Sequence, residues 1–104
     1  MADGAETVEV KVRFFTSLRE IVNKREETLT FPDSDNVSVN LILKTLSQKY
    51  GEPFTDYVFD CKSGQPKGFL QFLVNGTATS TLSGMETELG DGDVLAILPP
   101  VGGG

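Results

Sequence analysis

The chain has 104 residues, of which 38% are hydrophobic and 23% charged, and its formal net charge is −6. That length holds one small domain with one core and is too short for two, and the acidic balance speaks against nucleic acid or anionic membrane as partners and for a basic protein surface. With Cys61 as the sole cysteine and no histidine, an internal disulfide and a His/Cys metal site are both excluded.

Residues 1–7 read as a polar, disordered lead. Val8, Val10, Val12 and Phe14 then alternate with Glu9, Lys11 and Arg13, the two-residue period of a strand with one buried and one wet face. Phe15 breaks the alternation, so it either covers the edge of the core or is displayed to a partner. Ser17 offers an N-cap for a short helix carrying Leu18, Ile21 and Val22, which Asn23-Lys24 closes. Residues 26–31 form a second strand with Glu27, Leu29 and Phe31 on one parity, expected to pair antiparallel with the first, and the cluster 32–36 ends it.

Ser38 caps the main helix, whose stripe of Val39, Ile42, Leu43, Leu46 and Tyr50 faces the sheet. Gly51 suits a left-handed C-cap, and Pro53 stops the helix from resuming. Residues 52–68 are either a second short helix or an ordered loop over one end of the sheet, with a mobile loop at 63–68. A third strand covers 69–74 and ends in the tight-turn pair Asn75-Gly76; a brief edge strand covers 77–82, and a helical turn or loop follows at 83–89. Gly90-Asp91-Gly92-Asp93 turns the chain into the last strand, Val94 to Leu98.

One long helix covers one sheet face, which leaves the other to water. Phe15, Leu73 (with Phe69 as an alternative) and Leu98 are expected on that open face, with Leu95 and Ile97 as the core-facing pair of the last strand. An apolar patch there marks a contact surface, unless residues 52–68 fold over it. After Leu98, Pro99 and Pro100 forbid further sheet pairing, and Val101, Gly102, Gly103 and Gly104 follow. Extended, such an arm reaches about 20 Å, is thin enough for a channel that admits no Cβ, and carries a terminal carboxylate. Patch and tail make one device: the sheet docks a partner and the tail enters its active site.

The chain itself contains no Ser/His/Asp or Cys/His constellation, P-loop or GxGxxG turn, so it is expected not to be an enzyme. No run approaches the roughly 20 apolar residues of a membrane span, and the first residues lack the features of a signal peptide. A cytoplasmic location is expected.

Val-Arg-Phe-Phe at 12–15 followed by Leu-Arg-Glu-Ile, Gly-Asp-Gly-Asp-Val at 90–94, and Ile-Leu-Pro-Pro-Val-Gly-Gly-Gly at 97–104 resemble the MoaD/ThiS sulfur carriers, especially the small archaeal modifier proteins. The likeness spans about 8–31, 37–51 and 69–104; residues 52–68 are longer than in a compact bacterial carrier, which favours the archaeal branch. Gly102 stands where alanine, serine or threonine is common in the family. The resemblance implies an α+β, β-grasp (ubiquitin-like) fold with a mixed sheet of four or five strands covered on one face by one main helix. The domain then runs 8–98 and the tail 99–104.

The resemblance further implies that an E1-like enzyme, using ATP, adenylates the Gly104 carboxylate. Attack by a target lysine then gives an isopeptide bond; sulfur delivery gives a thiocarboxylate for molybdopterin or tRNA thiolation. Phe15, Leu73 and Leu98 match the family's partner-contact positions, and no stably bound cofactor is implied. The rival reading is the small subunit of molybdopterin synthase, working with a large catalytic subunit.

Overall fold

The computed structural model describes residues 7–32 and 36–98, so the expectations for the lead at 1–6 and the tail at 99–104 lie outside the described residues. Strand β1 (Thr7–Phe14) buries its four even residues, as the alternation predicts. It opens one residue earlier than expected: Thr7 pairs with Pro32 and belongs to the sheet rather than to the lead. Strand β2 (Glu26–Pro32) lies antiparallel to β1, while β5 (Val94–Leu98) lies parallel to it, with Phe14 opposite Ile97. Strand β3 (Gln71–Val74) pairs antiparallel with β5, and the two-residue β4 (Thr77–Ala78) closes a five-stranded sheet in the order β2-β1-β5-β3-β4.

Helix α1 (Thr16–Val22) begins before the expected cap. Phe15, in extended conformation, takes the N-cap position, no side chain caps the helix, and Ser17 lies within the first turn. Phe14 N–H still donates to the Arg25 carbonyl at 2.9 Å, so the chain stays in the sheet through Phe14 and must turn at once. That turn puts Thr16 at φ +46°, and Asn23 at φ +60° ends the helix in the left-handed conformation asparagine tolerates.

Helix α2 (Val39–Tyr50) follows the sequence reading: Ser38 Oγ accepts from Leu41 N–H at 3.2 Å, and Val39, Ile42, Leu43 and Leu46 are buried. Its end differs. Gly51 has φ +78° but ψ −154°, an extended mirror-image conformation open essentially to glycine alone. It joins α2 directly to α3 (Glu52–Val58), where Pro53 sits in the first turn and starts a helix instead of forbidding one. Phe54 and Val58 of α3 are fully buried, and α3 packs on α1 and α2. Residues 52–58 therefore extend the helical cover, while residues 65–68 line a cavity with Gln71 and Ala78 at the β3–β4 edge. Beyond α3, Phe59 bridges Pro66, and Asp60 N–H to Gln65 O and Lys67 N–H to Val58 O, each 2.8 Å, tie together the loop expected to be mobile.

The third strand is shorter than predicted because Leu70 N–H donates to Lys67 O at 3.2 Å, a turn that keeps Phe69 out of the sheet. Asn75 (φ +52°) and Gly76 (φ +86°) form the predicted tight turn, a 3₁₀ turn at Thr79–Thr81 replaces the rest of the expected edge strand, and a second at Gly84–Glu86 lies in the helical turn or loop expected at 83–89. The Gly-Asp-Gly-Asp turn is pinned to β1: Glu9 N–H donates to Asp91 Oδ1 at 2.9 Å and Gly92 N–H to Glu9 O at 2.8 Å. Asn75 adds a second clamp, accepting from Val94 N–H at 3.0 Å and donating to Asp93 Oδ1 at 3.1 Å. Among the described residues no helix is long and apolar enough to cross a membrane.

Candidate functional site

Strand alternation and register define the open face. Because Phe14, Leu95 and Ile97 point into the core, their neighbours Arg13, Phe15, Ala96 and Leu98 belong to the other side. One continuous row crosses all five strands: Glu26, Arg13, Ala96, Leu73 and Ala78. In the next row Leu98 pairs with Gln71, and Phe15 follows the Phe14–Ile97 pair on the parallel neighbour strand. The parallel arrangement of β1 and β5 thus brings Phe15 to the same sheet end as Leu98, the last described residue before the tail.

All three residues predicted for the contact surface, Phe15, Leu73 and Leu98, are half-buried. Phe15 and Leu73 line one shallow cavity of about 370 Å³ with Arg13, Val94 and Ala96. Leu98 lies one row away and does not line it. Phe69, the alternative to Leu73, is 48% exposed in the turn before β3, with Lys67 Nζ 5.8 Å from its ring centroid. Gly104, Gly103, Gly102 and Val101 lie outside the described residues.

The face is divided electrostatically. On the β1–β2 half, Glu26 pairs with Lys11 at 3.8 Å and with Arg13 at 3.5 Å, both solvent-exposed contacts of small energetic weight. On the β5–β3 half, Ala96, Leu98 and Leu73 present apolar surface. Sequence reasoning found the apolar positions from parity alone but missed what borders them. Arg13, Arg19 and Arg25 line a second cavity of about 210 Å³ with Phe14, Phe15 and Glu26, and the Arg19 guanidinium lies 6.0 Å from the Phe15 ring centroid. The signal was available: these are all the arginines of the sequence, within thirteen residues of one another. No cluster of potential metal ligands exists among the described residues, and Cys61 is an exposed free thiol.

Among the described residues, the arrangement presents a half-buried apolar face, Phe15, Leu73, Ala96 and Leu98, at the sheet end where the described chain stops. The ThiS family model matches residues 12–104, a span that includes both the face and the terminal glycines. Small archaeal modifier protein 3 of Haloferax volcanii is 32% identical over 97 residues, which is 93% of this chain and 100% of the relative. The solution structure of small archaeal modifier protein 1 from Methanosarcina acetivorans is 34% identical with a TM-score of 0.78, over 95% of this chain and 99% of that one. The putative molybdopterin converting factor subunit 1 of Pyrococcus furiosus is 27% identical with a TM-score of 0.69, over 90% and 99% of the two chains. These likenesses match the β-grasp, ubiquitin-like architecture described above, and the matches extend over more than nine-tenths of the chain. The chain belongs to the ThiS family.

Proposed function

We propose that this chain is a ubiquitin-like small archaeal modifier whose Gly104 carboxylate is activated by an E1-like enzyme and joined to lysines of target proteins, with a second capacity as a sulfur carrier. The observation that carries the reading is the family match running through Gly104, together with 32% identity to a small archaeal modifier protein over 93% of the chain. In the proposed chemistry the carboxylate attacks the α-phosphate of ATP held by the partner enzyme, releasing pyrophosphate and leaving an acyl-adenylate. A lysine amine then displaces AMP to form an isopeptide bond; hydrosulfide displaces AMP to leave a thiocarboxylate. The chain's own part is to dock through Phe15, Leu73 and Leu98 and to present the carboxylate. The partner enzyme supplies the ATP site.

The test is incubation of the purified chain with its cognate E1-like enzyme and labelled ATP, beside a variant lacking Gly103 and Gly104. A tail-dependent adenylate supports the reading, and its absence from the intact chain overturns it. A second reading, small subunit of molybdopterin synthase, is favoured by the likeness to the Pyrococcus furiosus converting-factor subunit. Stable co-purification with a large synthase subunit, without conjugates in cells, would favour that alternative.

A further inference from the structure

We infer that the arginine cavity at the end of the sheet is a carboxylate-recognition site, and that the surface docking on the open face presents an acidic side chain beside its apolar contact residues. This deepens the proposed function and rests on it, because the partner in question is the activating enzyme.

The local charge opposes the global one. The chain carries −6 overall, yet its three arginines converge on one cavity that contains a single carboxylate, Glu26. Glu26 is already shared by Lys11 and Arg13. Arg19 and Arg25 have no ion-pair partner among the described residues. Guanidinium groups gathered in this way repel one another, and a planar carboxylate is the group that their forked donors engage in paired hydrogen bonds.

The elements carrying these side chains are held firmly. Arg13 lies within β1, Arg19 projects from α1, and Arg25 is anchored through its carbonyl by Phe14 N–H at 2.9 Å. Convergence is therefore a property of the β1–α1–β2 unit and not of a free loop.

The adjoining surface selects the source of the carboxylate. Arg13 and Phe15 line both the arginine cavity and the apolar trough that holds Leu73 and Ala96. A small anion would fill the first and leave the second wet. A protein surface with an aspartate or glutamate next to an apolar side chain fills both at once, removing Phe15 and Leu73 from water while the carboxylate meets the guanidiniums. At this site the partner is acidic, the reverse of what net charge alone suggests.

The test uses the full chain and its cognate E1-like enzyme, comparing wild type, the double variant Arg19→Glu/Arg25→Glu and the control Lys44→Glu/Lys62→Glu. The control makes the same charge change at exposed sites outside both cavities. Dissociation constants are measured across a salt series, with circular dichroism and melting curves establishing that each variant is folded. The expected result is at least about a tenfold weaker complex for the arginine double variant at low salt, a flatter salt dependence, and near-wild-type binding by the control. Binding by the folded double variant that equals or exceeds wild type, with adenylation intact, overturns the site while leaving the proposed function standing. If neither wild type nor variants bind or become adenylated, the functional reading fails with it. A wild-type dimer in sedimentation that the arginine reversals dissociate, with enzyme affinity unchanged, assigns the cavity to a second copy and also overturns the inference.

Discussion

Tyr50 Oη donates to Glu27 Oε1 at 2.6 Å, joining the last residue of α2 to the buried face of β2. Lys24 Nζ donates to Oε1 and Lys49 Nζ to Oε2, both at 2.8 Å, so a carboxylate only 8% exposed holds the strand, the turn before it and the main helix together. Burial alone would push Glu27 upward, but the hydrogen bonds from Lys24, Lys49 and Tyr50 outweigh it and lower its pKa to about 2. A depressed folded pKa adds stability that is fully present above the unfolded value of 4.5 and is lost as pH falls toward 2. The expected loss across that window is on the order of 3 kcal/mol. Denaturant unfolding between neutral pH and pH 2 should show this acid limb in wild type and a shallower one in Glu27→Gln, which should itself cost about 1–3 kcal/mol at neutral pH. An identical acid limb in the variant would remove Glu27 from the account.

Two neighbouring phenylalanines should separate folding from docking. Phe14 is 1% exposed in the core, whereas Phe15 lies half-buried on the open face and shares the cavity of Leu73. Phe14→Ala should cost about 3–5 kcal/mol. Phe15→Asp should change stability by under about 1.5 kcal/mol yet weaken the complex with the activating enzyme at least tenfold, as should Leu73→Asp. The same contrast is expected one strand away between Ile97, 1% exposed, and Leu98. Parallel melting and titration of the variants checks it, and gross unfolding of Phe15→Asp would place that ring in the core.

These residues also show what could be read from the chain. Hydropathy alternates in β1 and β2, so their buried rows can be read without coordinates, whereas β5 is apolar throughout and its faces separate only in the structure, with Leu95 and Ile97 buried and Leu98 on the open side. Glu27 falls on the buried parity too, but alternation says nothing about Lys49 and Tyr50, whose approach depends on α2 crossing the sheet. Residues 52–68 were ambiguous for a related reason. Pro53 and Gly51 look like terminators in isolation, and only the unusual Gly51 backbone lets one helix abut another. The arginine cavity is tertiary in the same sense, since Arg13, Arg19 and Arg25 come from three successive segments.

Gly51 should therefore be intolerant of any side chain for backbone reasons alone. A Cβ there would meet nothing within 4 Å, so crowding is not the obstacle; the φ of +78° is. Gly51→Ala should destabilise by about 1–3 kcal/mol. Gly68 is equally open around its would-be Cβ but lacks a positive φ, and Gly68→Ala should be within about 0.5 kcal/mol of wild type. Equal stability of the two variants would mean that the α2–α3 joint accepts another conformation.

Activation and stability should separate at the terminus as well. Gly104 adds no side chain to the core and lies six residues beyond Leu98, so Gly104→Ala should leave the melting temperature unchanged. Under the proposed function the carboxylate enters a site on the activating enzyme, and an added methyl at its α-carbon should lower the adenylation rate at least tenfold if that channel is shaped for glycine. Binding to the enzyme should persist, because the residues proposed to dock, Phe15, Leu73 and Leu98, are untouched. Melting curves, enzyme binding and adenylate formation measured on the same preparation distinguish the outcomes. A lowered melting temperature would show that the tail packs on the domain, whereas lost binding with unchanged stability would show that the tail, more than the sheet face, supplies the affinity.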